Sequence, residues 1–352
     1  MNSINNLLQE KEVIITCGTG GVGKTTLSAA LGIQGARLGK KVLVITIDPA
    51  KRLATSLGLK DLGDSPVDLT SFLTENPNSG EFHALMPDTH STFDDFLRKL
   101  AQTPEQEEKL KQNEIFKIFT KEFSGANEYM ALQKLNKIVE EMDFDLVILD
   151  TPPSRDTLSF FNAPNLLNRF FEEKHIQKFL NPANKVLSFG MNKVLGILEK
   201  LTGKGFMSNF IEFAIALFDL RIAFTKELKN VENLLHSERV GFCLVAAPSS
   251  DLAPDIRHLV GQLNEKGFQF SSFFINRCVS SLNTQDWTPM EKNEKEALEL
   301  IEDIQTQEKE TIEEIFNFLQ SNQNTEPYFK KIPQMSRDIH SMEDLFYVAH
   351  HL

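Results

Sequence analysis

Cysteine is scarce and scattered: Cys17, Cys243 and Cys278 are the three in 352 residues, and no two form a C-x-x-C pair. That spacing excludes a disulfide scaffold and offers no zinc ligand set. Long hydrophobic runs are missing too. No uninterrupted apolar stretch reaches the ~18 residues of a membrane-spanning helix, so no direct membrane span is expected. The opening MNSINNLLQEKE lacks the charged-then-apolar order of a secretory leader. Positive charge is in deficit, with 37 Lys+Arg against 49 Asp+Glu, a formal net charge of −12 and a pI near 5.3. No nucleic-acid partner is therefore expected, and broad binding to anionic lipid is excluded, a local basic patch aside. The composition, 41% hydrophobic and 24% charged, is that of an ordinary globular protein, and no repeat or low-complexity tract interrupts it. The expectation is a cytoplasmic protein of a reducing compartment.

What is present is a rhythm of short apolar runs and helical stretches. VIITC (13–17), VLVITI (42–47) and LVILD (146–150) read as buried strands, and FHALM (82–86), GFCLVAA (241–247), FSSFFIN (270–276) and YFKKI (328–332) as further ones. Near-continuous apolar strands alternating with helices indicate an α/β fold, a doubly wound and mostly parallel sheet of seven or eight strands. Between Asp156 and Arg239 the strands stop and apolar residues recur at helical spacing. Of the 28 phenylalanines, 11 fall between Thr157 and Phe224, which marks 156–239 as a helical insertion subdomain within a single domain covering 1–352. The stretch Glu291–Glu314 carries ten acids and three lysines. It predicts a helix with Leu298, Leu300, Ile301, Ile304 and Ile312 on one face and the charges in solvent.

The strongest motif is CGTGGVGKTT (17–26). Gly18, Gly23, Lys24 and Thr25 satisfy G-x-x-x-x-G-K-[ST] between a predicted strand and a predicted helix, the pattern and context of a P-loop NTPase. Glycine backbone lets the N–H groups of Gly18, Thr19, Gly20, Gly21, Val22, Gly23 and Thr26 converge on phosphate oxygens, and the helix N-terminus adds partial positive charge. Lys24 is expected to reach the β- and γ-phosphates and the Thr25 hydroxyl to ligate Mg²⁺. An acid ends each of two other strands, Asp48 in VLVITIDPA and Asp150 in LVILDTPPS. Ligands of open α/β sheets sit at carboxyl ends of strands, so both can face one site. Asp150 fits a Walker B acid holding Mg²⁺, and Asp48 is free to orient or deprotonate the attacking water. The plainer alternative is that each caps a turn, as Asp before Pro commonly does.

In this order and at these separations, GTGGVGKTT, IDPAKRLATSLGL and LDTPPSRDTLSFF resemble the deviant-Walker-A ATPases. That family includes the arsenite-pump-driving ATPase and the tail-anchored-protein targeting ATPase, and the likeness is strongest to its bacterial anion-transporting branch. The resemblance implies an ATP- and Mg²⁺-dependent homodimer that opens and closes with hydrolysis. It makes Gly20 to Thr26 the phosphate loop, Asp48 the switch I carboxylate and Asp150 the start of switch II. It makes Asn276, in FFINRCV, the reader of adenine, whose edge an amide matches with one donor and one acceptor. The other reading of Asn276 is a turn or cap. Pro333, in KKIPQMSRDIH, is placed beside the base.

The chain also departs from the family. The signature lysine that reaches across the dimer is Thr19 here, which has neither the reach nor the charge. Lys51, Arg52 and Arg155 stand next to the switch motifs as replacements or as plain loop charges. The C-x-x-C that joins targeting-factor dimers through zinc and the metalloid-binding cysteines are both missing; the cysteines present read as small buried hydrophobes. The Phe-rich insertion falls where targeting ATPases build a hydrophobic client groove, yet the same spacing suits a subdomain core. The leading expectation is a switch ATPase driving a protein client or membrane-protein partner. Its rival is a nucleotide-dependent regulatory module with little hydrolysis. A metabolic kinase or ligase is less favoured, since no acceptor-site constellation accompanies the phosphate loop.

Overall fold

The computed structural model describes residues 3–47, 52–73, 79–101, 103–114, 116–117, 126–151, 206–249, 252–268, 270–279, 292–321, 327–335 and 338–352. Eight strands form one sheet: β1 (Val13–Cys17), β2 (Val42–Thr46), β3 (Val67–Asp68), β4 (Phe82–Leu85), β5 (Leu146–Asp150), β6 (Val240–Ala246), β7 (Phe270–Cys278) and β8 (Tyr328–Pro333). Their order is β3-β4-β2-β5-β1-β6-β7-β8. All neighbours pair in parallel except the edge pair β3 and β4. The seven strands expected from hydrophobic patterning are all present, and β3, only two residues long, is too short to carry a pattern.

Strands β1, β2 and β5 are buried at all five positions, as strands covered on both faces must be. Among the described residues the helices are α1 (Ile4–Glu10), α2 (Lys24–Arg37), α3 (Arg52–Ser56), α4 (Thr89–Leu100), α5 (Pro104–Gln112), α6 (Ala126–Glu141), α7 (Phe206–Leu235), α8 (Leu252–Glu265), α9 (Lys292–Ser321) and α10 (Met342–His350). The chain leaves β1 through α2 toward β2 on one side and later returns to place β6 on the other. This change of winding direction at β1 opens a crevice at the carboxyl ends of the strands. Among the described residues no helix is long and apolar enough to cross a membrane.

Two compact units emerge. The first, Met1–Pro87, Lys137–Leu158 and Leu235–Leu352, holds the sheet. Its core gathers strand residues such as Ile14, Val44 and Ile148 with Leu27 and Leu31 of α2 and Leu345 of α10. The second unit, Asp88–Asn136 and Ser159–Leu234, is helical where described and draws on α4 and α5 as well as on the Phe-rich segment. Within it Phe96, Tyr129 and Phe224 make a ring cluster with centroids 5.4 to 5.8 Å apart, and Phe116 meets Phe213 at 6.2 Å. Of the expected insertion, residues 156–205 lie outside the described residues, and 206–235 form α7.

Helix α9 departs from the face expected for it. Ile312, Ile315 and Leu319 are buried, but Leu300 and Ile304 are exposed, and Gln305 and Glu308 continue the inward stripe. The reason lies in the strand it covers. The Val279 N–H, just past β7, donates to Glu308 Oε2 at 2.9 Å, and Gln305 Nε2 donates to the Val279 carbonyl at 3.1 Å. Buried backbone groups at a strand end need partners, and this helix supplies them from polar side chains.

Candidate nucleotide site

The loop Gly18–Gly23 joins β1 to α2, and its shape depends on the absence of side chains. A Cβ at Gly23, where φ is 91°, would stand 2.2 Å from Asn276 Nδ2, and one at Gly18 would stand 2.1 Å from the Val245 carbonyl oxygen. Lys24, the first residue of α2, is buried and curls back over the loop. Its Nζ donates to the Gly18 and Thr19 carbonyls, both at 2.9 Å. The ammonium is thus held at the rim of the amide nest by weak neutral acceptors, from which an anionic oxygen would draw it.

Behind the loop the sheet register builds the rest of the site. Thr46 of β2 and Thr16 of β1 both stand opposite Asp150, one on each side of β5. Asp150 is fully buried, and its Oδ2 accepts from the Thr25 hydroxyl at 2.7 Å and from the Thr46 hydroxyl at 2.9 Å. Thr16 Oγ1 meets Ser28 Oγ at 2.8 Å and donates to the Leu149 carbonyl, while the Thr151 hydroxyl donates to the Thr16 carbonyl at 2.6 Å. These buried hydroxyls tie β1, β5 and α2 together directly beneath the loop, where a satisfied polar network is rigid.

A cleft of about 460 Å³ opens above. It is lined by Gly21, Lys24, Thr25 and Thr26 on one side and by Asn276 and Pro333, at the ends of β7 and β8, on the other. The structure therefore brings Lys24, Thr25, Thr26, Asn276 and Pro333 to one cavity, with Arg52 also at its wall. The Asn276 amide donates to the Val22 carbonyl at 2.9 Å, bracing the loop from across the sheet. Gly18, Thr19, Gly20 and Val22 face a second, wider depression of about 830 Å³, bounded on its far side by α8. The phosphate loop is a ridge between the two. Asp48, Lys51 and Arg155 lie outside the described residues.

Thr46, Thr16 and Thr151 carry no motif in the sequence, because their part depends on strand register. Arg277, which lines both depressions, belongs to no motif either. All three cysteines are buried. Burial pushes the Cys17 and Cys278 thiols well above their ordinary value and the Cys243 thiol up to about 12.

Comparison with known proteins agrees with this geometry. A family model described as anion-transporting ATPase matches residues 11–351. Among curated relatives, the ATPase GET3 of Malassezia globosa is 31% identical over 179 residues, 50% of this chain and 49% of that protein. The ATPase asna-1 of Caenorhabditis elegans is 27% identical over 215 residues, 57% of this chain and 61% of its own. An ATPase ASNA1 homolog of Plasmodium chabaudi chabaudi is 24% identical over 287 residues, 81% of this chain and 67% of that one. The chain spans about half the length of the curated GET3 ATPases of Malassezia globosa and Schizosaccharomyces japonicus that it matches. Matched from its first strand to its last helix, the chain belongs to the anion-transporting ATPase family.

Proposed function

We propose that this chain binds ATP with Mg²⁺ in the cleft above β1 and hydrolyses it as a homodimeric switch in the cytoplasm. The nucleotide cycle then drives a protein client or a membrane-protein partner. The observation that carries the reading is the Thr25–Asp150 contact, a loop hydroxyl and a buried strand-end carboxylate 2.7 Å apart. Hard oxygen donors of this kind suit Mg²⁺, so the residues present fit the metal. When bound, Mg²⁺ supplies neutralising charge to the phosphate oxygens.

In this reading the N–H groups of Gly18 to Thr26 cradle the phosphates. Lys24 exchanges its two loop carbonyls for the β- and γ-phosphate oxygens. Asp150, with Thr25, holds the metal side of the site, and Asp48 orients the attacking water. Asn276 and Pro333 flank the base. The relatives' names support ATPase activity, and the Thr19 departure supports slow turnover. That departure also favours a second reading, a regulatory module that binds ATP and hydrolyses it poorly. For the client, Phe213 and Phe224 pack in the ring contacts of their own unit, which supports a core role for those two rings. Ile215 and Ile222 of α7 stay exposed.

The test is steady-state ATP hydrolysis with Mg²⁺ across protein concentrations, beside the solution mass with and without ATP. The switch reading expects turnover that rises with dimer formation, no ATP binding in Lys24→Ala, and retained binding without hydrolysis in Asp48→Asn. Wild-type turnover in Asp48→Asn removes the water-positioning role. Tight binding with negligible turnover at every concentration replaces the switch by the regulatory module.

A further inference from the structure

The end of β7 contains a strained residue that the site described so far leaves unused. Pairing of β7 with β8 slips between Ile275 and Cys278, and within the slip Arg277 has φ 65°. Among the described residues it is the single non-glycine with positive φ. A long L side chain is disfavoured there, and such a conformation persists only where the surroundings impose it.

They do so here on both flanks. The Asn276 amide is anchored on the Val22 carbonyl at 2.9 Å, and the Cys278 carbonyl accepts from the Gln334 N–H at 3.0 Å. Val279 is held at both its N–H and its carbonyl by the buried Glu308 and Gln305 of α9. The buried polar stripe of α9 thus serves to fix this bulge. Glycine or asparagine would sit there with less strain, so the arginine is not explained by the backbone. Nor is it explained by an ion pair, since no described carboxylate pairs with it. Arg277 is exposed, and it lines the nucleotide cleft together with Lys24 and Asn276, and the second depression together with Gly18 and Thr19. Apart from Arg277, Gly21 alone is shared by the two linings, so Arg277 stands at the shoulder of the phosphate ridge.

We propose that Arg277 is a phosphate-contacting residue, which the bulge aims from the same subunit at the nucleotide's phosphates along the outer face of the loop. A guanidinium gives paired, charge-assisted hydrogen bonds to phosphate oxygens, the charge that Thr19 does not bring to this ridge. The proposal rests on the reading of the cleft as an ATP site.

Arg277→Gly and Arg277→Asn test it, because both residues accept positive φ and neither endangers the fold. Calorimetric titration of each 352-residue variant with Mg²⁺–ATP, and separately with adenosine, is compared with wild type after thermal melts. The expected result is melting at or above the wild-type temperature, ATP binding weakened at least tenfold in both variants, and adenosine binding unchanged. ATP affinity within threefold of wild type overturns the proposal while leaving the ATP site intact. Equal losses for ATP and adenosine also overturn it, by making Arg277 a base-stacking residue. Absence of ATP binding in the wild-type chain overturns both this proposal and the function it rests on. If glycine alone lowers the melting temperature, the asparagine variant decides by the same thresholds.

Discussion

At the residue scale, the site concentrates its dependence on a few atoms. The Asp150 carboxylate is buried and accepts two threonine hydroxyls. Asp150→Asn keeps the shape and the acceptor but removes the charge that a divalent cation needs. ATP hydrolysis is expected to fall by roughly a hundredfold or more, the scale of metal-ion charge stabilisation, with Mg²⁺ titration displaced to higher concentration. An unchanged Mg²⁺ dependence would remove Asp150 from the metal site. Gly23→Ala combines positive φ with a 2.2 Å approach to Asn276 Nδ2. Chemical denaturation should report a loss of about 1–3 kcal/mol, the range for a strained backbone position, together with loss of nucleotide binding. The three thiols are buried and shifted upward by burial, so almost no thiolate exists at neutral pH. A thiol reagent should find none of them quickly in the native protein and all of them after unfolding. One fast-reacting native cysteine would contradict the burial described.

At the element scale, helix placement reaches the site through α2. Helix α10 packs on α2, and its start is fastened by a reciprocal cap. Ser341 Oγ accepts the Asp344 N–H at 3.2 Å and donates to Asp344 Oδ2 at 2.8 Å. Ser341→Ala should lower stability by about 1 kcal/mol, as loss of an N-cap usually does, and shift the urea midpoint without changing its slope. No shift would mean that packing of α10 on α2, not its cap, sets its position. Much at this scale is legible in the residues: β1, β2 and β5 announce themselves as unbroken apolar runs because both their faces are covered. Helix α9 is the counterexample. Its acidic pattern implies a solvated face, yet Glu308 and Gln305 turn inward, because the end of β7 presents backbone groups that no apolar side chain can satisfy.

At the scale of the whole molecule, the test is ligand linkage. If the cleft takes Mg²⁺–ATP, nucleotide at a hundred times its Kd should add about 2.7 kcal/mol of stability, read as a higher melting temperature, and Lys24→Ala should abolish the rise. An equal rise in that variant would place the nucleotide elsewhere. The division into two units belongs to this scale as well. Patterning suggested one insertion at 156–239, whereas α4 and α5 join α7 in a unit of their own. Phenylalanine spacing marks Phe213 and Phe224 as apolar positions of a helix but not their partners Phe116, Phe96 and Tyr129, which come from distant sequence. By itself the sequence determined the strands, the phosphate loop and the acid at the end of β5, because apolar runs, glycines and a strand-end charge are local properties. Only the tertiary structure decided that Thr46 stands beside Asp150, that Asn276 braces Val22 and that Arg277 falls in the slip of β7 and borders both depressions. Those depend on strand register and on a bulge fixed from α9, and register is a relation between segments that no single segment encodes.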